Sequence, residues 1–228
     1  QPVQQLALLV DPDTCLIHTD ATQAVGKLPV NMSGLGVDAL SLSAHKLRGP
    51  QGIGALIVNQ KPRQVLISGG AQEKNRRAGT ESVAMIAGMG KAAEIALIEM
   101  EQKRHHLNQL RTVFESRLAT LPGVVIFGQA VERLPNTTYF ALPYYHGETL
   151  LMQLDRAGFA LASGSACHSE VTRASHVLKA MGIDDSLALN AIRVSFGASN
   201  DLQDVDALMK KLTELVNQLP AVIRQATG

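Results

Sequence analysis

The chain has 228 residues, 46% of them hydrophobic, which is ample for a packed core and allows one large or two smaller domains. Lys and Arg number 21 against 20 Asp and Glu, a formal net charge of +1 that gives no reason to expect nucleic acid or an anionic membrane as the main partner. The apolar runs fall far short of a membrane span and no basic segment followed by an apolar one opens the sequence, so a cytoplasmic protein with small-molecule or protein partners is expected.

In chain order, QPVQQLALLV reads as a helix entered near its beginning, with Pro2 tolerated in the first turn. Because the chain starts at Gln1 inside this pattern, a processed, split or truncated product is expected. CLIHTDATQ reads as a short buried strand, Cys15 to Thr19, after which Asp20 and Gln23 open a turn. DALSLS, Asp38 to Ser43, and GALIVN, Gly54 to Asn59, read as two more strands, with the glycine-rich GPQGIG reversing the chain between them. Helix, strand, loop and strand in this order are α/β grammar, in which polar groups collect at the carboxyl ends of parallel strands, and Asp20 and Lys46 fall just beyond such ends. From Glu81 to about Leu121 the pattern is helical, first apolar on more than one side and then amphipathic and charged, as suits a helix that bridges domains. The expected division is residues 1–98 and 99–228.

Pro122 and Gly123 end that helix. VVIFG, NTTYFAL and FALAS follow as strands, with the helix GETLLMQLDRAG among them. SHVLKAMG is a short helix closed by Gly182, AIRVSFG a further strand, and SNDLQDVDALMKKLTELVNQL an amphipathic helix to be capped by Ser199 or Asn200. This second region reads as α+β. Of the two cysteines, Cys15 opens an apolar strand and is expected to be buried or inert, whereas Cys167 lies in ASGSACHSE, a loop of small residues. His18 reads as a packed histidine. The adjacent His105 and His106 point to different sides of a charged helix, and with no CxxC or HxxxH spacing a metal site is not expected.

SLSAHKLRGPQGIGAL sets Lys46 between an apolar run and a glycine-rich turn, with Ser43 and His45 just before it. If Lys46 and Asp20 face one crevice, they suit a carbonyl cofactor. A lysine amine condenses with an aldehyde, and a carboxylate stabilises the protonated ring nitrogen that makes pyridoxal phosphate an electron sink. Ser43 and His45 would then lie near the phosphate as donors, and Gln23 near the ring hydroxyl. On spacing alone these residues equally suit strand caps or solvated loops.

HTDATQAVGKLPVN followed by DALSLSAHKLRGPQGIGAL closely resembles the cysteine desulfurases of the NifS/IscS kind, class V aminotransferase-like members of the fold type I pyridoxal phosphate enzymes. SGGAQEKNRRAGTES, LPNTTYFAL, HGETLLMQL, ASGSACHSE and AIRVSFGASN extend the likeness in order along the chain. The resemblance implies an α/β fold: an incomplete fold type I large domain followed by a smaller α+β carboxyl-terminal domain. It implies that Lys46 bonds to pyridoxal 5'-phosphate, that Asp20 pairs with its ring nitrogen and Gln23 contacts its ring hydroxyl. Ser43, His45 and, from a partner subunit of a homodimer, Thr80 would hold the phosphate, and Arg193 would grip the substrate carboxylate. Cys167 would be the nucleophile that takes sulfur from L-cysteine as a persulfide, leaving L-alanine, and yields it to a sulfur-acceptor or cluster scaffold protein. His168 and Arg173, nearby in sequence, could favour its thiolate or equally be ordinary solvated loop residues, and Gly164 suits a loop expected to move.

The sequence also departs from the family pattern. The upstream half with its further strands, phosphate loop, ring-stacking histidine and asparagine is not in it, so a complementary amino-terminal chain is expected to cover apolar edges and faces. Ala44 replaces a common glycine, Arg48 a frequent aromatic residue, and AQEKN alters the partner loop. Two alternatives accompany the desulfurase reading. One is a selenocysteine lyase or another class V enzyme; the other is an inactive fragment that serves as a dimerisation or carrier-binding scaffold.

Overall fold

The computed structural model describes residues 1–59, 65–163 and 174–220. The chain forms two compact units, Gln1–Lys103 and Arg104–Gly228. Gly164, Cys167, His168 and Arg173 lie outside the described residues.

The first unit contains α1 (Val3–Ala7), β1 (His18–Asp20), α2 (Met32–Leu35), β2 (Ala39–Ser43), a 3₁₀ turn (Ala44–Leu47), β3 (Gly54–Val58), the helical turn α3 (Gln72–Asn75) and the start of α4 (Val83–Leu118). Its sheet has the order β1-β2-β3. β1 runs parallel to β2, with His18 opposite Ala39 and Asp20 opposite Ser41, and β3 returns antiparallel with Gly54 opposite Ser43. Partners in register share a face, so His18, Asp20, Ser41, Ser43 and Leu56 form one side of the sheet, and Leu40 and Leu42 lie on the other. Leu40 is buried, and Leu42 packs against Leu47, Ala92 and Ala96.

β1 differs from the expected strand. Cys15 and Leu16 precede the ladder and are exposed, as is His18, because pairing begins only where β2 does: Ile17 accepts from the N–H groups of Asp38 and Ala39 and donates to Asp38 Oδ2. Cys15 is therefore no core residue.

The first part of α4 approaches the sheet through a stripe of small residues. Gly88, Ala92 and Ala96 recur every four positions. A Cβ on Gly88 would lie 2.6 Å from Pro50 Cγ, and one on Gly49 would lie 2.9 Å from Ala92 Cβ. Gly26 is required twice over: its φ is +76°, and a Cβ there would lie 2.8 Å from Leu47 Cδ2. The larger apolar residues of this stretch, among them Val83, Leu97 and Ile98, are exposed, as is Leu66 at 98%.

The second unit holds the rest of α4, then β4 (Val125–Ile126), β5 (Thr137–Ala141), α5 (Gly147–Arg156), β6 (Ala162–Ser163), α6 (His176–Ala180), α7 (Asp185–Leu189), β7 (Ala191–Ser195) and α8 (Leu202–Asn217). The strands pair antiparallel in the order β4-β5-β7-β6. Leu107, Leu110, Phe114 and Leu118 make the buried stripe of α4, and Phe114 meets Phe140 and Phe196 edge-on at 6.1 and 5.7 Å. Leu150 and Leu154 of α5 and Val205, Leu208 and Leu212 of α8 close the same core.

α8 is capped by Asp201, one residue beyond Asn200, the later of the two expected caps. Asp201 Oδ1 accepts from the N–H of Gln203 and of Asp204, while Asp204 Oδ2 accepts from Asp201 N, a reciprocal capping box. Replacing Asp201 with alanine is expected to cost about 1 kcal/mol, read as a lower denaturation midpoint with unchanged slope. Among the described residues no helix is long and apolar enough to cross a membrane.

Candidate active site

Asp20 ends β1 and Ser43 ends β2, so the sequence delivers polar side chains to the carboxyl ends of two parallel neighbours. The chain beyond β1 is tied back to β2 by Ala21 N–H donating to Ser41 O at 2.9 Å. Asp20 Oδ1 accepts from the backbone N–H of Thr22 at 2.8 Å, an Asx turn. Its carboxyl is held below the usual carboxylate range, chiefly by the Thr22 hydroxyl, next by that backbone N–H and more weakly by the charge of His18, with slight burial opposing. Asp20 is thus an anion at neutral pH, as a partner for a protonated ring nitrogen must be.

After β2 the backbone tightens into the 3₁₀ turn. Ala44 and Leu47 are buried, at 0% and 6% exposure, and His45 and Lys46 between them are exposed. The turn is thus anchored by Ala44 and Leu47 while the side chains of His45 and Lys46 are left at the surface. Ser43 Oγ lies 2.7 Å from His45 Nδ1, which pairs two of the expected phosphate donors. On the same face His18 Nε2 lies 2.6 Å from Ser41 Oγ, so His18 is a hydrogen-bonded surface residue and not a packed one.

Gln23 lies on the turn after β1, where Val25 N–H returns to Ala21 O and Leu28 N–H to Ala24 O. Lys27, four residues on, donates to Gln23 O at 2.9 Å and to Gln23 Oε1 at 3.0 Å. Burial pushes the Lys27 ammonium below its ordinary pKa, and the nearby charges of Lys103 and Lys46 push the same way. Sequence reading missed Lys27 and Thr22. The Asp-Ala-Thr spacing was a signal for Thr22; the link from Lys27 to Gln23 needed the helical pitch of the turn.

Thr80 is exposed on the segment between α3 and α4, and among the described hydrogen bonds none joins it to Ser43 or His45. The preceding loop is shaped by Gln72 Oε1, which accepts from Gly79 N–H, and by Arg77, which donates to Ala78 O and Gly79 O. Glu73, Lys74 and Asn75 take left-handed backbone there, with φ of 52°, 56° and 62°. Arg193 belongs to the second unit, exposed on β7 between Tyr139 of β5 and Ala162 of β6. Cys167 lies outside the described residues. His106 Nε2 is bonded to Asn200 O at 2.9 Å, which ties α4 to the start of α8.

The sequence profile of the family Aminotransferase class-V matches residues 1–208. A cysteine desulfurase from Sinorhizobium fredii is 43% identical over 220 residues, which is 96% of this chain and 57% of that protein. The cysteine desulfurase NifS of Azotobacter vinelandii is 40% identical over 220 residues, 96% of this chain and 55% of that protein. Among solved structures, a NifS-like protein from Rickettsia africae superposes with a TM-score of 0.85 at 31% identity, covering 96% of this chain and 58% of that one. A second NifS-like protein gives 0.85 at 36% identity, covering 96% and 57%. The chain therefore spans a little over half the length of the curated relatives it matches. The architecture is α/β, the later part of a fold type I large domain followed by a smaller α+β domain. With a family match over most of its length and a strand-end cluster of aspartate, serine, histidine and lysine, the chain belongs to the class-V aminotransferases.

Proposed function

We propose that this chain is the lysine- and cysteine-bearing part of a pyridoxal phosphate-dependent cysteine desulfurase, which converts L-cysteine to L-alanine and passes the sulfur to an acceptor protein. The observation that carries the reading is the gathering of Asp20, Gln23, Ser43, His45 and Lys46 around the carboxyl ends of β1 and β2.

The donor set fits the cofactor. Asp20 is an anion for the ring nitrogen, the Ser43–His45 pair offers hydroxyl and imidazole to a phosphate, and Lys46 presents an exposed primary amine to an aldehyde. When bound, pyridoxal phosphate supplies an electron sink for the substrate α-carbon. The protein's own residues do the rest. Arg193 binds the substrate carboxylate with a planar fork, and Thr80 reaches the phosphate from the partner subunit of a homodimer. The Cys167 thiolate accepts the sulfur of cysteine as a persulfide and yields it to a sulfur carrier or cluster scaffold. Further polypeptide, equivalent to the part of the relatives that this chain does not span, covers the exposed apolar residues of the first unit, whether it belongs to the same chain or to another.

The test is to incubate the chain with pyridoxal phosphate and cysteine, with and without such a polypeptide, and to measure alanine and protein-bound persulfide. Alanine is expected, with persulfide on Cys167 by mass spectrometry. Cys167→Ala should lose at least about 100-fold in sulfur release while still binding the cofactor. Unchanged desulfuration in that variant would overturn the nucleophile assignment. Selenocysteine turnover without cysteine turnover would favour a lyase. The absence of both, in the presence of the companion polypeptide, would favour a scaffold.

A further inference from the structure

Lys27 stands four residues beyond Gln23, on the turn that follows β1. Its ammonium carries donors only, and it bonds both oxygens of one residue, Gln23 O at 2.9 Å and Gln23 Oε1 at 3.0 Å. An amide that meets a donor-only group can turn only its oxygen toward it, so the NH₂ end of Gln23 must face away. A glutamine free in solution would present either end. From this contact we infer that Lys27 is a positioning residue, which locks the Gln23 amide so that it offers a donor, and not an acceptor, to the ring hydroxyl of the bound cofactor.

The inference rests on the proposed role of Gln23 in cofactor binding. Three features of the structure favour it. Gln23 is exposed, so its free end is available to a ligand. Lys27 is half-buried and follows Gly26, which lets the turn approach Leu47 and Ala96 closely. The groups that act on its charge, Lys103 and Lys46, are both cations, so Lys27 has the oxygens of Gln23 as its described hydrogen-bond acceptors and no described carboxylate partner. The ordinary alternative is a turn cap: Lys27 would serve only the backbone carbonyl of Gln23 and leave the side chain indifferent.

A double-mutant cycle separates the two. Pyridoxal phosphate affinity is measured by titration of the apo chain, and the Gln23 side-chain NH₂ resonances are followed by ¹⁵N NMR without cofactor. Lys27→Met is expected to weaken affinity about tenfold and to shift or broaden those resonances, and Lys27→Arg, still donor-only, to restore both. Lys27→Gln, which can accept as well as donate, is expected to behave like Lys27→Met and provides a polar variant should methionine perturb folding. In the Gln23→Ala background, where the backbone carbonyl remains, Lys27→Met should have almost no further effect on affinity. A turn cap, or a direct charge effect on Lys46, would instead give equal losses in both backgrounds, and that result or unmoved Gln23 resonances would overturn the role of Lys27. Uptake that is the same in the parent chain, Gln23→Ala and Lys46→Ala would overturn the cofactor reading itself.

Discussion

Lys46→Ala is expected to hold no pyridoxal phosphate covalently and to have no measurable desulfurase activity, with its fold intact. The parent chain mixed with the cofactor should show a visible absorption band that borohydride bleaches and fixes to the protein. The variant should show neither the band nor the added mass. The structure separates the chemistry of this residue from its packing. Ala44 and Leu47 bury the turn, and Leu47 lies against Ala92 and Ala96, so the exposed Lys46 side chain contributes little to folding. The denaturation midpoint should therefore move by no more than about 0.5 kcal/mol, the usual range for a surface change. Lys46→Arg should fail as completely, because a guanidinium stays protonated and cannot act as the free amine the bond requires. A borohydride-stable adduct in Lys46→Ala would move the reactive nitrogen elsewhere.

The second large effect lies in the other unit and concerns stability. Glu115 of α4 is 8% exposed and meets Arg133 through two parallel hydrogen bonds of 3.0 and 2.9 Å, while Thr138 of β5 donates its hydroxyl to the same carboxylate at 2.7 Å. Arg111 stands nearby, bonded to Leu134 O and Asn108 Oδ1, and burial together with the charge of Arg133 pulls its guanidinium below the ordinary pKa while Glu115 opposes. Glu115→Ala would strand two guanidinium groups beside each other with no carboxylate between them. Breaking a buried pair from one side costs about 3–5 kcal/mol, a large share of the stability of a domain of this size. Urea unfolding should show that loss. Glu115→Leu combined with Arg133→Met and Thr138→Val should recover most of it, since the carboxylate is then removed together with both groups that donate to it. A loss below about 1 kcal/mol in Glu115→Ala would mean that water reaches the carboxylate.

Two strands of the first unit were legible because short apolar runs bounded by turn residues leave few choices, whereas the one-turn helices α2 and α3 were not read at all. DALSLS and GALIVN were read to within one residue of β2 and β3. β1 was not. The apolar Cys15–Leu16–Ile17 run looked like a core strand, yet a strand's extent is set by its partner, and the ladder opposite Ala39–Ser41 admits only His18–Asp20. The same limit hid the small-residue stripe of α4: glycine and alanine every four residues signify nothing until Gly49 and Pro50 are found beside them. α7 was missed although Asp184, which accepts from Leu187 N–H at 3.0 Å, stood before an apolar run as a cap should. The expected cofactor residues of the first unit came from a family resemblance more than from spacing, since a turn, the helix α2 and the strand β2 lie between Asp20 and the 3₁₀ turn that carries Lys46. What the resemblance did not supply was the network behind them, Thr22 on Asp20 and Lys27 on Gln23, because such links follow from the pitch of a turn and not from a motif.

The close approach of Gly49 and Pro50 to Gly88 and Ala92 has a consequence for the turn that carries Lys46. Flexible side chains could absorb a change in spacing there; backbone and methyl groups at van der Waals limits cannot. Residues 88 and 92 thus act as a shim under Gly49 and Pro50, and one added methyl group at position 88 would push apart the helix and the loop that follows Lys46.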